Sequence, residues 1–375
     1  MKILFTGGGT GGHFYPTIAV IRALKKIADE ERIFDLRIFF MSDSPYDDNI
    51  LLEEGVEFIK IPAGKIRRYF SLLNIPDIIK TFFGVIKAVW KIYIHIPDAI
   101  FIKGGYASFP AFIAAVLFRI PILVHESDAV PGRVNRWAGR FAKRIAVSFA
   151  GTIKYFPEEK TAFTGNPIRI NLIGGTHEEA RTIFKLEEEA PIIFVLGGSQ
   201  GAQKINTILS DALLSLIKDY QIIHQCGKAN IKEVSGRSSV ILENSESKRR
   251  YHVFPFLTEA EMRNASFAAD LIVSRAGAGA IFEIAAWGKP SIIIPLPSAA
   301  QDHQRENTYI YKRVGACEVI EEENLSATIL ISEINGILKN FEKRERMKKA
   351  ALNFAKPDAA SKIAKEIINL ALEHA

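Results

Sequence analysis

The chain has 375 residues, 48% of them hydrophobic and 24% charged, which is enough for two ordinary domains, each with its own core. Two cysteines, Cys226 and Cys317, far apart and in apolar surroundings, suggest a reducing compartment with no disulfide framework, and they offer no metal cluster. The formal net charge of +6 calls for an anionic partner. No zinc-finger or RNP motif points to nucleic acid, no run of 18 uncharged residues points to a membrane span, and Met1 leads into a strand without a signal peptide.

In chain order, Ile3-Leu4-Phe5 reads as a buried strand. Gly7-Gly8-Gly9-Thr10-Gly11-Gly12-His13 follows, and then a helical pattern from Pro16 to Ala28. Strand, glycine loop and helix start together make an anion site, because glycine admits close approach and the helix presents unpaired N–H groups. Gly7, Gly9 and Gly12 satisfy the dinucleotide fingerprint G-x-G-x-x-G, but five glycines in six positions exceed what that fingerprint or a plain turn requires. Further strands are predicted at Arg37–Met41, Ala99–Ile102, Ile122–Val124 and Ile145–Val147. Helices are predicted near Pro76–His95, Pro110–Phe118 and Gly132–Phe141, with Pro16, Pro76 and Pro110 suited to first turns.

Turn chemistry at Thr164-Gly165-Asn166-Pro167-Ile168-Arg169 interrupts this rhythm, and then the plan repeats. Strand Ile192–Leu196 leads to a second glycine loop, Gly197–Gly201, followed by helix Lys204–Ile217 and strand Gln221–Gln225. Further strands follow at Val253–Pro255, Leu271–Ser274 and Ser291–Ile294. Thr258 and Glu261 form a capping box. The pattern implies an α/β protein of two Rossmann-like domains facing across a cleft, residues 1–164 and 165–340. Residues 341–375 are expected to form helices that pack back toward the first domain, with Glu342–Arg346 as a solvated face.

Ligands of such sheets bind beyond the carboxyl ends of the strands. This directs attention to the opening loop, to Lys103-Gly104-Gly105-Tyr106-Ala107-Ser108, to His125-Glu126-Ser127-Asp128 and, in the second half, to Gly197–Gly201, Arg275–Gly279 and Pro295–Gln304. Glu283, one turn into the helix after Arg275–Gly279, reads either as an acceptor for ribose hydroxyls or as an acid favoured by the helix dipole. From Tyr69 to Ile96 the chain is unusually apolar, with Lys80, Lys87 and Lys91 on one stripe and Lys65, Arg67 and Arg68 just before it. This stretch reads as a contact with an anionic membrane surface, or else as a helix buried on both sides.

Seven motifs in order carry a resemblance: Thr6–Pro16 (TGGGTGGHFYP), Lys103–Pro110 (KGGYASFP), His125-Glu126, Gly165–Arg169 (GNPIR), Leu196–Ala202 (LGGSQGA), Ser274–Gly277 with Glu283 (SRAG and the acid), and Asp302-His303-Gln304 with Asn307. In these the chain resembles the MurG family of GT-B glycosyltransferases. The resemblance implies transfer of N-acetylglucosamine from UDP-N-acetylglucosamine to the muramoyl hydroxyl of lipid I, giving lipid II, by a peripheral enzyme on the cytoplasmic face of the bacterial membrane. It places donor contacts at Thr10, Gly11, Gly12, Asp128, Arg169, Ser199, Leu257, Ala278, Gly279, Ala280, Ile281, Phe282, Glu283 and Gln304. Acceptor contacts fall at Gly8, Gly9, Gly104, Gly105, Tyr106 and His125. The family commonly carries Gln-Asn where this chain has Ser127-Asp128, and often a hydroxyl residue at the place of Ala280.

Inversion at the sugar carbon, also implied by the resemblance, requires a base for the attacking hydroxyl and stabilisation of the departing diphosphate. No D-x-D motif is present, so helix dipoles, Arg169 and loop N–H groups are the expected electrophile, without metal or other cofactor. His13 is the expected base and Glu126 the second candidate; alternatively His13 only caps its helix or binds pyrophosphate. Competing readings are a GT-B transferase for another lipid acceptor, a sugar-nucleotide epimerase, a non-catalytic binding protein, and an oxidoreductase using Asp43 as its ribose acid.

Overall fold

The computed structural model describes residues 1–65, 74–197, 202–297 and 302–374. It divides into two compact units, one of residues 1–168 with 356–375 and the other of residues 169–355. The strands of the first are β1 (Lys2–Gly7), β2 (Arg37–Ser42), β3 (Glu57–Lys60), β4 (Ala99–Gly104), β5 (Ile122–Glu126), β6 (Arg144–Val147) and β7 (Thr161–Phe163). They form one parallel sheet in the order β3-β2-β1-β4-β5-β6-β7. The strands of the second are β8 (Ile192–Leu196), β9 (Gln221–Gln225), β10 (Tyr251–Phe254), β11 (Leu271–Arg275), β12 (Ser291–Ile294) and β13 (Cys317–Val319), again all parallel, in the order β10-β9-β8-β11-β12-β13.

Helices cover both faces of each sheet, which is why the middles of the central strands are continuous apolar runs, with polar residues confined to their ends. In the first unit these are α1 (Gly11–Glu30), α2 (Asp48–Glu53), α3 (Asn74–His95), α4 (Phe109–Leu117) and α5 (Arg133–Phe141). The second has α6 (His177–Phe184), α7 (Gln203–Leu216), α8 (Ile231–Ile241), α9 (Glu259–Ala268), α10 (Ala278–Trp287), α11 (His303–Arg313), α12 (Ala327–Leu338) and α13 (Phe341–Phe354). Alternate residues of a strand point to alternate layers. Ile3 and Phe5 pack with Phe14 and Ile18 of α1, whereas Leu4 packs with Ile100, Ile102 and Ala88 on the other face.

The last helix, α14 (Ala359–His374), belongs to the first unit. Ile363, Ala364, Ile367 and Ala371 complete the core around α1, and Glu366 accepts from Arg144 Nε at 2.7 Å. The last thirty-five residues therefore do not act together as expected. α13 stays in the second unit, where Met347 and Ala351 are buried and Leu352 packs against Gly288. The turn at Thr164–Arg169 contains the first crossing, with the division falling at 168/169.

The expected start of α1 needs correction, and one of the two readings of α3 falls. α1 begins at Gly11, so Gly11, Gly12 and His13 form its first turn and Pro16 sits one turn in. α3 is not buried on both sides. Only Thr81, Gly84, Ala88 and Ile92 are buried, a narrow stripe of mostly small residues that lets α4 approach: a Cβ on Gly84 would lie 3.3 Å from Pro110 Cγ. Ile75, Phe82, Phe83, Trp90 and Tyr93 remain 58–62% exposed. Arg67, Arg68 and Tyr69 lie outside the described residues.

Candidate active site

In each sheet the chain reverses its direction of strand addition once, between β1 and β4 and between β8 and β11. The loops leaving these neighbouring strands diverge there and open a crevice for ligand. In the first unit the crevice is lined by both expected glycine loops, and they are joined: Gly8 N–H donates to Gly104 C=O at 2.8 Å. Gly104 and Gly105 have φ of +105° and +83°, a conformation that favours glycine. A Cβ on Gly105 would lie 2.9 Å from Gly8 Cα and 3.4 Å from His13 Cε1, and one on Gly104 would meet the Asn135 amide. The glycines are thus required by packing of loop on loop.

At the start of α1, Thr10 is the N-cap but makes no side-chain cap. The N–H groups of His13 and Phe14 bond to Thr10 C=O at 3.0 Å, while those of Gly11 and Gly12 open the helix, an arrangement suited to phosphate. Thr10 Oγ1 lies 3.1 Å from His13 Nδ1, so the imidazole is oriented beside the phosphate-type site. Tyr106 donates to Asp43 Oδ2 at 2.6 Å. Asp43 therefore holds the second glycine loop and does not serve as the ribose acid of a dinucleotide site.

Two residues expected to touch substrate form framework. His125 is fully buried, with Nδ1 2.6 Å from Lys103 Nζ and Nε2 3.2 Å from Gly165 O and 3.3 Å from Ser148 Oγ. Both ring nitrogens thus face protein groups beneath the loops. Glu126 is 4% exposed. It accepts from Asp128 N–H at 3.0 Å on one oxygen, and from Gly132 N–H at 3.0 Å and Asn135 Nδ2 at 2.9 Å on the other. A carboxylate so occupied ties down the segment after β5 and is badly placed to take a substrate proton.

Burial pushes the Glu126 carboxyl up to about 7 from 4.5, with the Asp128 charge adding to the rise. The folded chain then binds this proton more tightly than the unfolded chain between these values. The stability it contributes is full below pH 4.5 and lost as pH rises through 7. In thermal unfolding, the advantage of wild type over Glu126→Gln is therefore expected to shrink across that window, and a constant gap would contradict the assignment.

Sequence reasoning quoted Lys103 and Asn166 within motifs but gave neither a role, and it passed over Asn135; all three are buried. The available signal was a lysine closing an otherwise apolar strand immediately before two glycines, since a lysine is seldom buried without partners.

In the second unit, Arg169 and Glu283 face one another. Arg169 is 8% exposed and donates from Nε at 3.1 Å and Nη2 at 3.0 Å to the same oxygen, Oε1, of Glu283, with Glu259 3.9 Å from Nη1. The guanidinium thus orients the carboxylate at the start of α10. That helix, whose first residues are Ala278, Gly279, Ala280, Ile281 and Phe282, has Gly277 as N-cap and no side-chain cap, and a Cβ at Gly277 would meet nothing within 4 Å. Leu257 N–H donates to Gln225 Oε1 at 3.0 Å, and Gln304 Oε1 accepts from Leu296 N–H at 3.1 Å. The capping box of Thr258 and Glu261 starts α9 as expected. Ser199 lies outside the described residues. Among the described residues no group of three or more His, Cys, Asp or Glu is placed to hold a metal ion.

Two Rossmann-type units, each with a helix start free of a side-chain cap beyond its parallel sheet, place the chain in the GT-B-like class of folds. Residues 3–147 match the glycosyltransferase family 28 N-terminal domain, and residues 192–363 match the family's C-terminal domain. The chain is 37% identical over 342 residues to a UDP-N-acetylglucosamine–N-acetylmuramyl-(pentapeptide) pyrophosphoryl-undecaprenol N-acetylglucosamine transferase of Bacillus cereus, covering 91% of this chain and 92% of the relative. The chain belongs to this MurG family of glycosyltransferases. Its fold is similar to a crystal structure of Acinetobacter baumannii MurG, with TM-score 0.73, 24% identity and coverage of 98% and 99% of the two chains. A UDP-N-acetylglucosamine 2-epimerase from Neisseria meningitidis, bound to UDP-N-acetylglucosamine, shares the fold with TM-score 0.70 at 14% identity, covering 98% of this chain and all of that one.

Proposed function

We propose that this chain transfers N-acetylglucosamine from UDP-N-acetylglucosamine to the muramoyl 4-hydroxyl of undecaprenyl-pyrophosphoryl-N-acetylmuramoyl-pentapeptide, converting lipid I to lipid II in peptidoglycan synthesis. The observation that carries this reading is identity of 37% to a transferase so named across more than nine-tenths of both chains. The fold alone would not separate a transferase from an epimerase. An assay of UDP release decides between them: release is expected only when the acceptor is added, whereas formation of a 2-epimer from the donor alone would favour the rival.

In this mechanism the joined loops receive the acceptor's pyrophosphate on the N–H groups of Gly9 and Gly105, beside the α1 start, the Gly8 N–H being already given to Gly104 C=O. His13, held through Nδ1 by Thr10, takes the proton of the attacking hydroxyl at Nε2. In the second unit, Glu283 accepts the ribose hydroxyls and the α10 start meets the diphosphate. Charge that develops on the departing UDP is stabilised by these fixed dipoles, which need no reorganisation as the bond breaks.

The acceptor's polyprenyl chain brings α3 to the membrane. No helix is long and apolar enough to cross one. Instead, the exposed face of α3 would lie in the interface, with Lys80 and Lys87 exposed among its aromatics. The apolar surface continues through Phe118, whose ring is 6.3 Å from Tyr93, and Trp137 and Phe141, both more than half exposed. The enzyme then acts as a peripheral protein on the cytoplasmic face. Sedimentation with anionic vesicles is expected at low salt and is expected to weaken as salt rises. Phe82→Ser with Phe83→Ser should abolish it, and a variant that still sediments fully would place the contact elsewhere.

A further inference from the structure

Lys103 is 1% exposed at the end of β4, directly beneath the joined glycine loops. A Cβ on Gly7 would lie 3.4 Å from Lys103 Cβ and 3.5 Å from His13 Cβ, so the lysine and the histidine flank the same point of the opening loop. An ammonium has three N–H donors, and three acceptors surround this one: His125 Nδ1 at 2.6 Å, Asn166 Oδ1 at 3.3 Å, and Ser127 Oγ. Ser127 in turn donates to Asn166 Oδ1 at 2.8 Å. Every donor of Lys103 is thereby engaged, so any effect on substrate passes through the groups it holds. These belong to three segments: the end of β5, the loop that begins at Ser127, and the turn after β7. A buried cation needs compensating charge, and the carboxylates acting on Lys103 are Glu126 and Asp128. Burial lowers the ammonium to about 7 and both carboxylates pull it back up.

We propose that Lys103 is a positioning residue of the acceptor site, its ammonium tying β4 to residues 125–128 and Asn166 while balancing the charge of Asp128. The inference rests on the reading above, in which the glycine loops hold the acceptor. Loss of the ammonium removes the cation on which both carboxylates act and unties Ser127 and Asn166 from β4, so the segment loses its hold beneath the glycine pair.

The test is a cycle of four proteins: wild type, Lys103→Met, Asp128→Asn and the double variant. Each is assayed for transfer to a soluble lipid I analogue across pH 6–9. Lys103→Met is expected to lower kcat/KM for the acceptor at least thirtyfold and to lack the fall above neutrality that wild type shows as Lys103 loses its proton. Adding Asp128→Asn is expected to restore at least tenfold, and the altered pH profile of Lys103→Met is the readout that a merely structural lysine would not move. Wild-type kcat/KM in Lys103→Met, or a double variant no better than Lys103→Met, would overturn the proposal. Should Lys103→Met fail to fold, the double variant must fold, and its failure would also overturn it. Absence of transfer by wild type would refute the functional reading, and the same cycle on unfolding midpoints would then decide the charge pairing.

Discussion

Replacing His13 by alanine is expected to lower turnover more than a hundredfold while UDP affinity stays within about twofold of wild type, as suits loss of a base worth roughly 10²–10⁴ in rate. The expectation follows from the position of the ring. It stands in the first turn of α1, is held through Nδ1 by Thr10, and lies against Gly8 and Gly105 where the two loops meet. The second candidate fails on geometry, since both Glu126 oxygens are taken by backbone and Asn135 donors. Glu126→Ala would deprive three N–H donors of their acceptor, the buried Asn135 amide among them, so its loss of activity should come with a lower unfolding midpoint. His13→Ala should unfold like wild type. A mild effect of His13→Ala beside a severe effect of Glu126→Gln at unchanged stability would reverse the assignment.

The second large effect is expected on the donor. Glu283→Ala should raise the donor KM by about 10–100-fold, the equivalent of one charge-assisted bond to the ribose at roughly 1.5–3 kcal/mol. Arg169→Ala should act in the same direction without touching the ribose, because the guanidinium fixes the carboxylate through two N–H groups on one oxygen. Arg169→Lys should not restore it, since a point charge cannot reproduce the fork. Isothermal titration with UDP measures both. Affinity unchanged in Glu283→Ala would remove the ribose role and leave the residue as an ion-pair partner of Arg169.

Much of this fold is legible in the chain because parallel strands buried on both faces appear as short continuous apolar runs. Ile192–Leu196 is both the predicted and the observed β8. Strands at sheet edges are harder to read. In β3, β7 and β13 the run is three or four residues long and carries charge or exposure, as in Glu57-Phe58-Ile59-Lys60. The path of α14 was only half legible, for its apolar stripe shows that it packs but not on which core. At the site, glycines were visible as a count, and the reason for them was not. Gly105 is constrained by Gly8 and His13, which lie about a hundred residues away along the chain. Burial likewise separates residues that a motif presents as equals. His125 and Glu126 share a motif with Asp128, yet the first two are sealed beneath the loop.

The central claim is the reaction itself, and product analysis tests it most directly. The protein is incubated with UDP-N-acetylglucosamine and a lipid I analogue in the presence of a chelator, and the lipid product is identified by mass and anomeric linkage. The expected result is one N-acetylglucosamine added to the muramoyl 4-hydroxyl with inverted configuration, at a rate the chelator does not change. Donor consumed without a disaccharide product, or a sugar attached elsewhere, would contradict the account.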